Sequence, residues 1–154
     1  NGTRELPVES VVTAPGKTSL DRAEILEAIL LDKQPPNSRD AYLRFIPRTE
    51  MDIAVVGVAV NLMLDEDGLV SSTRVVLGAV APTVIVVDKA TAALGGTKLD
   101  ETALSALAAA CSAACQPIDD KRGTVDFRKQ VAGVLARRAA LNAFTRAGGQ
   151  KCLQ

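Results

Sequence analysis

The stretch DIAVVGVAVNLML, residues 52–64, decides the fold, because it is almost wholly apolar and alternates along its length. Its even positions, 54 to 64, are all aliphatic, whereas its odd positions include the small residues Gly57 and Ala59. A period of two places alternate side chains on opposite faces of a strand. We therefore predict a long strand, covered by helices on its even face and closely approached by other groups on its odd face.

Two shorter apolar stretches continue this sheet. The turn residues 65–68 predict a hairpin into a second strand at 69–79, in which Arg74 faces solvent. Pro82 interrupts the apolar run, and residues 83–87 predict a third, shorter strand. Consecutive strands joined by short turns indicate an antiparallel meander of three strands.

Helical spacing begins after the third strand. Asp88 is expected to cap a short helix that Gly95 and Gly96 end. Asp100 is expected to cap a second helix, which Pro117 stops. Cysteines recur in this second helix at the spacing of core positions.

The last helix is predicted from about Thr124 to Arg146. Its expected apolar stripe is Phe127, Val131, Val134 and Leu141. Strands followed by helices indicate an α+β fold, in which a three-stranded antiparallel sheet carries helices packed on one face.

Composition excludes several classes of function. The 154 residues contain 18 Lys plus Arg and 18 Asp plus Glu, so no net charge attracts nucleic acid. No apolar run reaches about 18 residues, and a membrane span is not expected. The chain has no His, which excludes Ser-His-Asp and Cys-His catalysis and most zinc sites.

Termini and cysteines bear on the cellular setting. The chain opens at Asn1 without a Met or an apolar leader, so we expect no signal peptide and a natural N-terminus further upstream. Three Cys do not form a disulfide framework, and a cytoplasmic location is expected.

Three short motifs have simpler interpretations than a ligand site. Gly16-Lys17-Thr18 resembles the end of a phosphate-binding loop, but Val11 stands where that loop needs Gly, so a plain turn is predicted. Cys111 and Cys115 lie one helical turn apart and are interpreted as core residues rather than metal ligands. Residues 119–146 carry seven cations against three aspartates, which fits either a solvated face or a contact surface for an acidic neighbouring subunit.

An ordered set of motifs resembles a known family. The known pattern is Tyr-x-Lys, then an Arg, then Asp-x-Ala leading into a long strand. This chain has similar residues in the same order: Tyr42-Leu43-Arg44, Arg48 and residues 52–54. Further along, the similar segments are 67–68, 77–83, 94–96, 120–124, 127–128 and 137–139. Together they span residues 42–140. They resemble the C-terminal half of the FAD-binding subunit of molybdenum hydroxylases, the xanthine and carbon monoxide dehydrogenase family.

The resemblance implies a division of the chain. Residues 1–36 would be the last part of an FAD-binding domain, 37–147 the flavoprotein C-terminal domain, and 148–154 a tail. By the same resemblance Ile25–Leu31 is expected to be a strand, although its local pattern looks helical.

The resemblance also implies a function. In this family the flavin subunit takes electrons from an iron–sulfur subunit and passes them to an external acceptor. The substrate is hydroxylated at a molybdenum cofactor in a larger subunit. The implied cofactors are FAD here and [2Fe-2S] clusters and the molybdenum cofactor in the partner subunits, within a dimer of heterotrimers. The Gly-rich loops that hold the FAD pyrophosphate are not in this chain, which is therefore expected to be inactive alone.

Three cofactor-binding positions follow from the resemblance. Leu26 matches an apolar residue that touches the flavin, Tyr42 matches a Tyr against the ring system, and Arg44 stands where the family has Lys near the ring's polar edge. Arg is not an equivalent donor to Lys. The other interpretations are packing for Leu26 and Tyr42 and a surface ion pair for Arg44.

No residues are predicted to be catalytic or to bind a metal. The sequence shows no convergent acid, base and nucleophile, so an independent enzyme is poorly supported. The competing hypothesis is a non-catalytic interaction or assembly domain.

Overall fold

The computed structural model describes residues 2–48 and 51–149. The chain divides into two compact units, Asn1–Lys33 and Gln34–Gln154. The first unit holds a 3-10 helix at Val8–Ser10 and two short antiparallel strands, β1 at Val12–Ala14 and β2 at Lys17–Thr18. Residues 150–154 of the expected tail lie outside the described part of the chain.

The expected strand at Ile25–Leu31 is wrong, because this segment has no regular secondary structure. Its large apolar side chains are mostly exposed. A strand needs a neighbour to pair its N–H and C=O groups. No described strand pairs with this segment, since β1 pairs only with β2 and the other strands pair among themselves.

The second unit contains a four-stranded antiparallel sheet in which neighbouring strands follow chain order. Its strands are β3 at Ser38–Phe45, β4 at Val56–Leu64, β5 at Val70–Gly78 and β6 at Ile85–Val86. The three predicted strands are therefore present, and the predicted number of strands is wrong by one.

The additional strand, β3, was missed because its sequence is largely polar. As an edge strand it pairs with β4 alone. It buries Ala41 and half-buries Leu43 toward the core, while its other residues between 39 and 45 are exposed. An edge strand that buries so few side chains lacks the apolar alternation from which strands are predicted.

Three helices cover one face of the sheet: α1 at Asp88–Leu94, α2 at Glu101–Ala114 and α3 at Val125–Arg146. The long α3 packs on β3, β4 and α2, whereas α1 packs on β5 and α2. The even positions of β4, from 56 to 64, are buried in the resulting core, and Ala59 on the odd face is only half-buried. The α+β class and the two-faced central strand are thus confirmed.

The helix ends follow local chemistry in most places. Asp100 accepts a hydrogen bond from the Ala103 N–H (2.8 Å) and caps α2 as predicted. Gly95 ends α1, as predicted. Asp88 is not the cap of α1, because the helix begins at Asp88 itself and the preceding Val87 offers no side-chain hydrogen bond.

Within residues 2–48 and 51–149, no helix has the length and apolar character needed to cross a membrane.

The predicted apolar stripe of α3 is half right, since Val131 and Leu141 are partly buried against the core. Phe127 and Val134 are exposed, and the buried face consists mainly of alanines: Ala132, Ala136, Ala139, Ala140 and Ala143. Small side chains allow the helix to approach its neighbours closely. At the crossing with α2, a Cβ added at Gly133 would lie 2.8 Å from the Ser112 Oγ. The close approach of α3 to its neighbours therefore requires small residues on its buried face, whereas helical periodicity in the sequence points to large apolar residues.

Candidate functional site

Tyr42 and Arg44 lie on β3, on the sheet face away from the helices. In the β3–β4 register Tyr42 is opposite Ala59 and Arg44 is opposite Gly57. Tyr42 is 59% exposed and Arg44 is also exposed. Ala41, on the other face of β3, is buried in the core. Because side chains alternate along a strand, Tyr42 and Arg44 project from the same surface. We call this surface the open face.

The Tyr42 ring rests on the backbone of β4 at Gly57. A Cβ added at Gly57 would lie 2.9 Å from the Tyr42 Oη and 3.4 Å from its Cε2. A side chain at position 57 would therefore displace the ring. The small odd positions of β4 are approached closely, as the sequence predicted, and what approaches them at Gly57 is a tyrosine.

Leu26, the third predicted site residue, lies in the first compact unit and is 62% exposed. It belongs to the segment without regular structure. Its grouping with Tyr42 and Arg44 stays a prediction.

Asp52 anchors the loop between β3 and β4. Its side chain is only 5% exposed, accepts a hydrogen bond from the Ile53 N–H (2.8 Å) and forms ion pairs with Arg48 (3.4 Å) and Arg122 (3.6 Å). Burial acts to raise the pKa of Asp52, but the Ile53 and Arg48 hydrogen bonds and the two cations outweigh it and hold the pKa below its ordinary value. The loop between β3 and β4 is thus tied to the turn before α3.

Arg128, on α3, binds the end of the same loop from the core side of the sheet. Its buried guanidinium donates to the Val55 carbonyl (2.8 Å) and to Asp120 Oδ1 (2.7 Å), with a longer contact to the Ala79 carbonyl (3.4 Å). Hydrogen bonds from the Arg122 N–H and from Arg128 lower the pKa of Asp120. The motif 120–128 is therefore a structural support for the start of β4. From the sequence, this motif was part of the family resemblance and its cations were interpreted as a solvated face or a contact surface; its structural role was not predicted.

Most of the cations in residues 119–146 have partners within the chain. Arg137 forms an ion pair with Glu101 (2.7 Å), and Arg146 donates to the Asp40 carbonyl (2.7 Å). Arg128 and Arg122 are engaged as described above. Four of the seven cations are thus used internally, and the positive surface expected for an acidic partner is smaller than the sequence count suggests.

The structure also shows the roles of two short sequence motifs, the turn at residues 16–18 and the pair Cys111 and Cys115. Gly16 has a positive φ of 70° in the turn between β1 and β2, which confirms the turn interpretation of residues 16–18. Cys111 and Cys115 are buried free thiols, and burial, with the neighbouring Cys115, raises the pKa of Cys111 to about 12. Among residues 2–48 and 51–149, no group of three or more potential metal-ligating side chains is assembled.

The open face offers an exposed aromatic ring, supported from below by Gly57, next to a guanidinium two residues along the strand. Such a surface suits a flat ring system that has an acceptor at its rim. It offers no nucleophile and base of the kind that covalent catalysis needs.

Residues 41–143 match the family described as the CO dehydrogenase flavoprotein C-terminal domain. The chain therefore belongs to this family, the C-terminal part of the flavin subunits of xanthine and carbon monoxide dehydrogenases. It is 29% identical over 150 residues to the putative xanthine dehydrogenase FAD-binding subunit of Escherichia coli K12, covering 97% of this chain and 51% of that protein.

Similar values are found for the carbon monoxide dehydrogenase medium chain of Hydrogenophaga pseudoflava, with 30% identity over 146 residues, 95% of this chain and 50% of the relative. A solved structure of carbon monoxide dehydrogenase from that organism, lacking the Mo-pyranopterin moiety of its molybdenum cofactor, superposes with a TM-score of 0.85 at 32% identity. The superposition covers 94% of this chain and 49% of the solved chain. The chain thus spans about half the length of the relatives it matches.

Proposed function

We propose that this chain helps to hold FAD in the flavin subunit of a molybdenum hydroxylase, which transfers electrons from [2Fe-2S] clusters to an external acceptor. Its partners would be an iron–sulfur small subunit and a large subunit with the molybdenum cofactor, and the assembly a dimer of heterotrimers. Membership of the flavoprotein family supports this proposal. The observation that carries it is the Tyr42 ring, exposed on the open face and seated on Gly57. The cytoplasmic location stays a prediction.

The residues present fit one edge of a flavin site. Tyr42 would lie against the ring system, and because Gly57 carries no side chain, the hydroxyl end of the tyrosine can approach β4 closely. Arg44 projects from the same surface and would donate hydrogen bonds to the polar rim. A fixed cation there would favour negative charge on the rim. Bound FAD supplies the ability to accept and release electrons.

The supports beneath the open face would keep these two side chains in place. Asp52 and Arg128 hold the loop that joins β3 to β4, Asp52 through Arg48 and Arg122 and Arg128 through the Val55 carbonyl, and this loop begins two residues after Arg44. A binding group is most effective when a second set of hydrogen bonds restricts its position. We assign Asp52 and Arg128 this positioning role, without contact to FAD.

The Tyr42 assignment is tested in a chimera in which residues 37–147 replace the C-terminal domain of the E. coli FAD-binding subunit. A tyrosine stacked on flavin quenches its fluorescence, so Tyr42→Leu should raise the fluorescence of bound FAD and weaken its retention during gel filtration. Phe45→Leu is the matched control, because Phe45 is on the same strand but the opposite face, where its ring meets Phe127 edge to face at 5.8 Å.

Unchanged flavin fluorescence in Tyr42→Leu would remove Tyr42 from the site. If the chimera folded and bound no FAD, the interaction or assembly domain would become the better account of the chain. Equal effects of both substitutions would indicate that the strand as a whole had been disturbed.

A further inference from the structure

An open cavity lies where the loop between β3 and β4 meets the turn before α3. Its volume is about 440 Å³, and it is lined by Pro47, Arg48, Asp52, Lys121 and Arg122. Three of these residues are positively charged and one is negatively charged, which leaves two positive charges in excess. We call this cavity the basic cavity, and its charge attracts an anion.

Asp52 orients the two arginines of the basic cavity. One oxygen of its buried carboxylate lies 3.4 Å from the Arg48 Nε, and the other lies 3.6 Å from the Arg122 Nε. A guanidinium has five N–H donors, so one that is held at Nε keeps its Nη donors for other acceptors. The Arg48 Nη2 donates to the Met51 carbonyl (3.2 Å). Asp52 thus holds two like-charged groups side by side, and both have donors left for a further acceptor.

Lys121 adds the third positive charge. Its side chain is exposed and makes no ion pair within the described part of the chain. The two aspartates that precede it are used elsewhere. Asp119 accepts a hydrogen bond from the Val125 N–H (2.6 Å), and Asp120 forms an ion pair with Arg128 (2.7 Å). Neither aspartate lines the basic cavity, so neither is placed to neutralise it.

A phosphate dianion matches this arrangement in charge and in hydrogen bonding. It carries close to two negative charges at neutral pH and has oxygen acceptors that point in several directions. Guanidinium groups bind phosphate oxygens through pairs of N–H donors, and an ammonium group adds a compact charge. The cavity also has room for an organic group attached to the phosphate, since small-molecule sites occupy about 300–1,000 Å³.

We propose that the basic cavity binds a phosphate dianion, either free or as the terminal group of a small molecule. Arg122 and Lys121 are its main ligands, and Arg48 lies beside them. Asp52 does not touch the phosphate and acts by positioning the two arginines. The proposal does not depend on the flavin assignment, because its test uses the chain without FAD.

The test is an NMR titration of the full chain with inorganic phosphate at low salt. The amide signals of Lys121 and Arg122 should shift and saturate. Lys121→Gln should weaken binding by about tenfold, because a hydrogen bond from a charged donor is lost. This variant keeps the test independent of folding, since Lys121 makes no ion pair in the described fold. The matched control is Arg138→Gln, which removes an exposed cation of α3 outside the cavity and should leave binding unchanged.

Two further ligands identify the anion. Tighter binding of AMP than of inorganic phosphate would assign the cavity to a phosphate ester, and equal or weaker binding would assign it to free phosphate. Succinate carries the same charge on two separated carboxylates and should bind more weakly than phosphate. Equal binding of succinate, absence of any shift at residues 121 and 122, or equal weakening by Lys121→Gln and Arg138→Gln would each overturn the proposal.

Discussion

Replacing Arg128 by Met is expected to lower the free energy of unfolding by about 3 kcal/mol. Arg128 is 4% exposed, and its guanidinium donates to the Val55 carbonyl just before β4 and to the Asp120 carboxylate before α3. Methionine fills a similar volume without donors. The buried Val55 carbonyl would then be left without its partner and would carry a desolvation cost, whereas Asp120, whose side chain is 28% exposed, would keep the hydrogen bond from the Arg122 N–H.

Urea denaturation followed by circular dichroism measures this loss. The control is Arg137→Met, which removes another ion-paired arginine from the same helix. Its partner, Glu101, has a side chain that is 74% exposed, so the change should be below about 1 kcal/mol. Equal effects of the two substitutions would mean that Arg128 is an ordinary surface cation and that the 120–128 motif does not support β4.

In the complete enzyme, Arg44→Gln is expected to lower the flavin reduction potential and slow turnover with the external acceptor by about tenfold. Losing a hydrogen bond from a charged donor costs about 1.5–3 kcal/mol, and about 1.4 kcal/mol corresponds to tenfold. Hydroxylation of substrate at molybdenum, assayed with an artificial acceptor that bypasses the flavin, should be spared.

The split between the two assays is what separates a flavin contact from a structural role. Arg39→Gln is the control, since Arg39 is an exposed arginine of the same strand on the opposite face. It should leave both assays unchanged. Equal loss in both assays on Arg44→Gln would mean that Arg44 supports folding or subunit docking.

The sequence was sufficient for the parts of the fold in which side chains are large and fully buried. Residues 52–64 identified the central strand because one complete face of β4 is buried. The α2 cap was predictable because Asp100 acts on a backbone group three residues away. Both features depend on interactions that are local or periodic in the chain.

Features that depend on distant contacts could not be derived in this way. The edge strand β3 is held by its ladder with β4, which periodicity does not show. The alanines on the buried face of α3 reflect how closely α2, β3 and β4 approach that helix. Arg128 bonds to Val55, which is 73 residues away in the chain. At the candidate site, resemblance to a family suggested Tyr42 and Arg44, and the structure added that Gly57 is the surface on which Tyr42 lies.

The absorbance spectrum of bound flavin tests the central claim most directly. Residues 1–154 purified alone should be colourless, because the chain carries no Gly-rich loops for the FAD pyrophosphate. The chimera that joins residues 37–147 to the N-terminal half of the E. coli FAD-binding subunit should be yellow, with FAD bound in a ratio near one to one. A colourless, folded chimera, or tight stoichiometric FAD in the chain alone, would contradict the assignment of this domain as one edge of a shared flavin site.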